Sequence, residues 1–279
     1  MRNPLRVLVS ADLEGVAGIV HPSETNPERY DYERGRRLMT AEVNAVVEGV
    51  LEAEPDAVVR VADAHGSFRN LLPEELDRRA RLVRGRPRPL GMLGGLDGDT
   101  SAVLFVGYHA RAGSGPAVLA HTMSDAVLDV RVNGRSLGEI GLNAAMAGHH
   151  GAPVVLVAGD EVACAELTDL VPQARAVPVK FALGQAAAET IHPEEARELL
   201  RAAAGAAVAD RERVRPFTLA GPLAVEVDLY GPYTVDLAVL VPGVSRAPGA
   251  RTVTFTAPDM AQAYSLVQLL VQLATIKPT

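Results

Sequence analysis

The chain has 279 residues, of which 48% are hydrophobic, and a formal net charge of −7 at pH 7. The acidic balance argues against a nucleic-acid or anionic-membrane partner, because both require a basic patch. A single cysteine, Cys164, excludes an intramolecular disulfide framework. No stretch has the pattern of a signal peptide or a membrane span, so we expect a cytoplasmic protein with no membrane partner.

Short apolar runs alternate with longer amphipathic stretches through the first part of the chain. The runs cover residues 5–11, 57–62, 102–107 and 153–158. This alternation predicts an α/β fold in three layers, with a mostly parallel sheet between two layers of helices. We expect helices over residues 34–54 and 74–83, and a β-hairpin around Asn133-Gly134.

The pattern changes after about residue 177. A helix is expected to begin at His192-Pro193, where proline suits the first turn, and a last helix is expected from Pro258. Alternating residues predict antiparallel strands at 223–229, 235–241 and 251–257. We therefore predict an α/β metal-binding domain over residues 1–175 and a smaller α+β subdomain packed against it over residues 176–279, with one single domain as the alternative.

Side chains of the types that bind metals follow three of the apolar runs. They are Asp12 and Glu14, then Asp63 and His65, and finally His109. Because the carboxyl ends of neighbouring parallel strands meet at one edge of a sheet, these side chains could line one pocket. Two bare carboxylates on one face would repel each other unless a cation lay between them. An acidic turn and ordinary hydrogen-bonded histidines at strand ends are the alternative interpretation.

Two further residues could join this pocket. His121 lies among apolar and small residues, which suits either a histidine with a tuned pKa or a buried structural one. Glu139 precedes a predicted helix, where a carboxylate either contributes to a site or interacts with the helix N-terminus. Carboxylates together with imidazoles suit zinc or manganese, and several carboxylates allow two ions close together.

Several motifs in order resemble the dizinc D-aminopeptidase family. They are SADLEG, YERGRRLMTAEVNA, DAHGSFRNLLPEEL, FVGYHARAG, AHTMSD, VNGRSLGEIGLNAAMAG and VLVAGD. The resemblance covers the first 180 residues and continues more loosely to the C-terminal helix. It implies two zinc ions bound by Asp12, Glu14, His65, His109 and Glu139, and His121 as the catalytic residue. It further implies a homodecamer of stacked rings.

The function that we predict is a zinc-dependent aminopeptidase that removes N-terminal amino acids, expected to be D-amino acids, from short peptides. His121 would transfer protons, stabilise the oxyanion or attack directly. Asp63 would orient a ligand, and Arg111 and Asn143 would anchor substrate. The alternatives are another dinuclear metal hydrolase, either an amidase or a phosphoesterase, and a peptide-binding protein without catalytic activity.

Overall fold

A computed structural model describes residues 4–249 and 251–276, and these residues form two β-sheets. The larger sheet has seven strands in the described residues, in the order β3-β2-β1-β4-β7-β8-β9. Its pairs are parallel except β8 with β9. The strands are β1 (Arg6–Ala11), β2 (Val58–Asp63), β3 (Arg81–Val83), β4 (Ala102–Tyr108), β7 (Val154–Asp160), β8 (Arg175–Gly184) and β9 (Ala187–Thr190).

The central strands of this sheet are covered on both faces, because every residue of β4 and β7 is buried. Helix α1 packs against α4, and helix α2 packs against both α3 and α6. The predicted three-layer α/β architecture is therefore confirmed. The helices are α1 (Tyr32–Ala53), α2 (Glu139–His149), α3 (Glu161–Leu170), α4 (Pro193–Ala209), α5 (Pro232–Ala238) and α6 (Met260–Ala274).

The smaller sheet has five antiparallel strands in the described part of the chain, in the order β11-β12-β10-β5-β6. The predicted hairpin joins β5 to β6, with Asn133 at φ 51° and Gly134 at φ 79°, the left-handed conformation that Asn-Gly turns favour. The strands are β5 (Val127–Val132), β6 (Arg135–Ser136), β10 (Leu223–Leu229), β11 (Ser245–Arg246) and β12 (Thr252–Ala257).

The two sheets interleave along the chain. The larger sheet takes β8 and β9 from beyond residue 175, and the smaller sheet takes the β5–β6 hairpin from before it. The predicted boundary after residue 175 therefore does not fall between the two sheets.

Two predicted elements are wrong. Residues 74–83 are not a helix, because the Asp77 carboxylate accepts hydrogen bonds from the main chain and side chain of Arg79 and forms a turn. The end of this segment pairs with β2 as the edge strand β3. Residues 235–241 are not a strand, because Pro232 begins the short helix α5, which buries Val235 and Ala238.

No helix in residues 4–249 and 251–276 has the length and hydrophobicity needed to cross a membrane.

Candidate metal centre

The strands that carry the predicted ligands are neighbours, in the order β2-β1-β4, and they run parallel. The turn after β1 is fastened to the end of β4, because the Asp12 amide donates to the Val106 carbonyl at 2.8 Å. A Cβ atom on Gly107, which has a φ of +69°, would lie only 2.3 Å from the Asp12 carbonyl oxygen. Glycine at position 107 thus permits the close approach of the two strand ends.

Asp12 lies at the centre of the cluster and directs its two oxygens to different histidines. Its Oδ1 is 3.3 Å from Nδ1 of His65, and its Oδ2 is 3.6 Å from Nε2 of His109. Glu14 approaches the same edge of His65, with its Oε2 at 2.8 Å from Nδ1. Asp12, Glu14 and His109 are buried and hold donor atoms within 4.8 Å of one another.

A second group of donors surrounds Glu139, the first residue of α2. Its Oε1 is 3.3 Å from Nε2 of His109 and 3.7 Å from Nε2 of His121. The two imidazoles stack with their centroids 4.1 Å apart. The Met123 amide donates to the same Glu139 oxygen at 2.6 Å, which fixes the carboxylate. The six residues that were predicted from the sequence as metal ligands or as the catalytic residue therefore lie together in the structure.

Each of the three histidines has one ring nitrogen on a main-chain carbonyl and the other facing the carboxylates. The nitrogen that contacts the main-chain carbonyl is Nε2 in His65 and Nδ1 in His109 and His121. The acceptors are the carbonyls of Thr25, Ala110 and Leu119, at 2.9, 2.9 and 2.8 Å respectively. Histidines that bind metals characteristically donate their second N–H in this way, because it fixes the ring and its tautomer.

The electrostatics of the cluster fit a cation. Burial, and then the neighbouring Glu14, raise the pKa of Asp12 to about 8. Burial opposes ionisation of Glu14 as well, but His65 outweighs it and holds the Glu14 pKa well below its usual range. The carboxylates in turn raise the pKa of both His65 and His109 well above normal, against the effect of burial. Crowded carboxylates here require positive charge, which either imidazolium protons or bound metal ions can supply.

Asp63 lies beside the cluster and holds the loop that carries His65. Its carboxylate accepts hydrogen bonds from the amide and side chain of Asn70 and from the Leu71 amide, at 2.6, 2.7 and 2.8 Å. The Asn70 side chain also donates to the His65 carbonyl at 2.7 Å. Asp63 is therefore placed to orient a ligand through the loop.

The two predicted substrate anchors lie away from the cavity. Asn143 is fully buried and exchanges hydrogen bonds with the hydroxyls of Tyr108 and Tyr264. The Arg111 guanidinium donates to the Ala112 carbonyl at 3.0 Å, and its amide donates to Glu166. Neither side chain lines the cavity over the cluster, so this geometry argues against direct substrate contact in either case.

An open cavity of about 430 Å³ lies over the cluster, and a second lobe of about 630 Å³ adjoins it. Asp12, Glu14, His65, His121 and Glu139 line the first lobe. The rest of the wall comes from distant segments and has no local motif by which the sequence would predict it. Its polar and larger members are Phe68, Arg86, Arg88, Met92, Tyr264, Gln268 and Gln272.

The turn that presents Glu14 is held from beneath by a buried lysine. Lys180 on β8 is fully buried, and its Nζ donates to the carbonyls of Glu14, Val16 and Ile19. Glu42 on α1 accepts from the Ala17 amide at 2.8 Å. The only sequence signal for this support is the rarity of lysine in an arginine-rich chain.

The α/β fold, with buried nitrogen and oxygen donors on the floor of an open cavity, defines a metallohydrolase. The family model for peptidase M55, described as D-aminopeptidase, matches residues 5–269, so the chain belongs to that family. The predicted class of enzyme, an aminopeptidase of the D-aminopeptidase family, is thereby confirmed.

Two similar proteins support this assignment. The chain is 35% identical to a D-aminopeptidase of Bacillus subtilis (strain 168) over 272 residues, which cover 97% of this chain and 98% of the relative. Among solved structures, it is similar to the Zn-dependent D-aminopeptidase DppA from Bacillus subtilis, described as a self-compartmentalizing protease. That match has a TM-score of 0.95 and 32% identity, and it covers 99% of this chain and 100% of the other.

Proposed function

We propose that the chain binds two zinc ions and removes N-terminal D-amino acids from short peptides. The ligands would be Asp12, Glu14, His65, His109 and Glu139. One observation carries the proposal: the two carboxylate oxygens of Asp12 face two different histidines, at 3.3 and 3.6 Å. A carboxylate placed in this way suits a bridge between two ions, with Glu14 and His65 on one side and His109 and Glu139 on the other.

The donor set fits zinc by its chemistry. Zinc prefers imidazole nitrogen and carboxylate oxygen among the side chains present in this cluster. When bound, zinc polarises a carbonyl oxygen and lowers the pKa of water, which are the two effects that peptide hydrolysis needs. The similar DppA protein is Zn-dependent.

His121 would move protons during the reaction. Its Nδ1 is engaged by the Leu119 carbonyl, so Nε2 is the nitrogen available to hold a proton or to pass one to the leaving amine. The residues around it, Leu119 and Met123, have φ angles of 50° and 59°, a left-handed conformation that is unfavourable for their side chains. Strain of this kind is typical of loops that fix a catalytic group.

The test is a substrate panel combined with removal of the metal. We expect hydrolysis of D-Ala-D-Ala in preference to L-Ala-L-Ala and no hydrolysis of a phosphodiester. A chelator should abolish turnover and added zinc should restore it. His109→Ala should lose both zinc and activity, whereas His149→Ala, an exposed histidine at the end of α2, should lose neither. Peptide hydrolysis that survives both the chelator and His109→Ala would overturn the proposal.

We also propose that the chain assembles into a homo-oligomer, namely a decamer. The support for this is that the similar DppA protein is described as self-compartmentalizing. Ten chains of 29.4 kDa give a mass of about 294 kDa, which light scattering can measure. A species of about 29 kDa would contradict assembly.

A cytoplasmic location is a further part of the proposal. Its support is the single buried thiol, Cys164, which suits a reducing compartment. Fractionation of cells that express the tagged chain tests this expectation.

A further inference from the structure

The guanidinium of Arg86 lies where the two lobes of the cleft meet, because Arg86 lines both of them. One of its nitrogens, Nη1, donates to the Gly66 carbonyl at 2.7 Å. Its central carbon lies 5.5 Å from the centroid of the Phe68 ring. The side chain is exposed, and its guanidinium forms no other hydrogen bond within residues 4–249 and 251–276. Most of its five N–H donors are therefore available to a ligand.

The neighbouring Arg88 differs, because its donors are already used. It donates to the carbonyls of Asp63, Val83 and Gly91, at 2.6, 3.1 and 2.8 Å, and it lies over the Phe68 ring at 4.3 Å. Arg88 is thus part of the framework beneath the loop. Of the two arginines in the wall, Arg86 is the one with capacity to bind substrate.

The charge distribution of the cleft decides what Arg86 can bind. The carboxylates of Asp12, Glu14 and Glu139 on the floor would be neutralised by the proposed zinc ions, and the arginines that line the two lobes are Arg86 and Arg88. Helix α6 contributes the neutral side chains of Gln268 and Gln272 to the wall. An anionic group of a bound peptide therefore finds its complementary charge at the mouth of the cleft, and a guanidinium binds a carboxylate through two parallel hydrogen bonds.

The position of Arg86 along the cleft limits the length of that peptide. Its anchor, Gly66, directly follows the candidate ligand His65. Since successive Cα atoms of a peptide are about 3.8 Å apart, a guanidinium anchored on the residue next to a candidate ligand lies within the length of a few peptide residues from the cluster. A longer substrate would carry its terminal charge past the guanidinium.

We propose that Arg86 binds the C-terminal carboxylate of a dipeptide or tripeptide and so selects short peptides with a free C-terminus. This assignment deepens the proposed aminopeptidase function and rests on it. Arg86 determines specificity and takes no part in bond cleavage.

The test compares two substrates that differ only in the terminal charge, D-Ala-D-Ala and its C-terminal amide. The wild-type enzyme should prefer the acid. In Arg86→Gln the ratio of kcat/KM for the acid to that for the amide should fall about tenfold, mostly through KM for the acid. Arg86→Lys keeps the positive charge but lacks the planar guanidinium, so its ratio should lie between that of the wild type and that of Arg86→Gln. Arg84→Gln is the matched control, because Arg84 is an exposed arginine of the same loop outside the cavity wall.

The outcomes separate the two proposals. A wild-type enzyme that cleaves neither compound overturns the aminopeptidase function, and with it the role of Arg86. An active enzyme whose ratio is unchanged in Arg86→Gln overturns the role of Arg86 alone. Equal losses on acid and amide, accompanied by loss of zinc, would also overturn it, because they would mean that Arg86 only supports the turn that carries His65.

Discussion

Replacing Lys180 with methionine tests how the turn that presents Glu14 is held in place. The Lys180 Nζ donates to the carbonyls of Glu14, Val16 and Ile19, and no part of the lysine is exposed to solvent. Methionine fills a similar volume but donates no hydrogen bond. The substitution therefore removes the support beneath the turn while leaving every candidate metal ligand in place.

The magnitude follows from two opposing effects. Each carbonyl that loses its partner while buried costs about 1–3 kcal/mol, and three are involved. In the other direction, burial lowers the pKa of Lys180 to about 8 from 10.5, so the buried charge itself costs about 3 kcal/mol, which methionine removes. We expect a net loss of about 3 kcal/mol in the free energy of unfolding. Because Glu14 moves with the turn, zinc affinity should fall as well, by about 10–100-fold.

The assay measures urea unfolding of the metal-free protein and, separately, competition for zinc with a chromophoric chelator. Arg175→Met is the matched control, since Arg175 is a half-exposed cation on the same strand whose ion pair is with Asp210. The control should change the free energy of unfolding by less than about 1 kcal/mol and leave zinc affinity as it is. The reasoning is refuted if Lys180→Met unfolds like the wild type, or if it is destabilised but binds zinc as tightly as the wild type.

Three further predictions concern the site and its surroundings. His121→Asn should lower kcat by about 10²–10⁴-fold, while zinc content, measured by mass spectrometry, stays at the wild-type level; a parallel loss of zinc would make His121 a ligand. Asp63→Asn should cost about 1–3 kcal/mol in urea unfolding, because the new NH₂ group faces an N–H donor in either orientation, and it should weaken zinc binding; unchanged zinc affinity would contradict its orienting role. Burial raises the pKa of the Cys164 thiol to about 12, so it should resist thiol reagents at pH 8 until urea unfolds the chain. Since the unfolded thiol ionises near pH 9 and the folded one near 12, its contribution to stability should fall as pH rises above 9; rapid labelling of the native protein would contradict the burial.

The part of the site that could be predicted from the sequence lies at the ends of buried parallel strands. Asp12, Asp63 and His109 follow or end short, mainly apolar runs, which are typical of the strands of a covered parallel sheet. Their convergence then depends only on β1, β2 and β4 being neighbours, which the structure shows. Glu139 is different, because the chain passes through a hairpin of the second sheet before it reaches the cluster. The family resemblance is what assigns Glu139 to the metal-binding cluster.

The wall and the supports of the cavity could not be predicted in this way. Lys180 and Tyr264 reach the site from more than 150 residues beyond β1, and their packing leaves no local pattern. Glu42 has no local sequence signal for burial, yet it is 2% exposed and accepts a hydrogen bond from the Ala17 amide. Helix α5 was mistaken for a strand because a short apolar run fits either periodicity. For Lys180, Tyr264 and Glu42, contacts between distant segments decide the position in the structure.

The central claim is that Asp12 lies between two zinc ions. Anomalous X-ray diffraction from crystals of the purified protein, recorded above and below the zinc edge, tests it directly. We expect two zinc peaks, one next to Glu14 and His65 and the other next to His109 and Glu139, with the Asp12 carboxylate between them. A single peak, or peaks that leave Asp12 without contact to either ion, would contradict it.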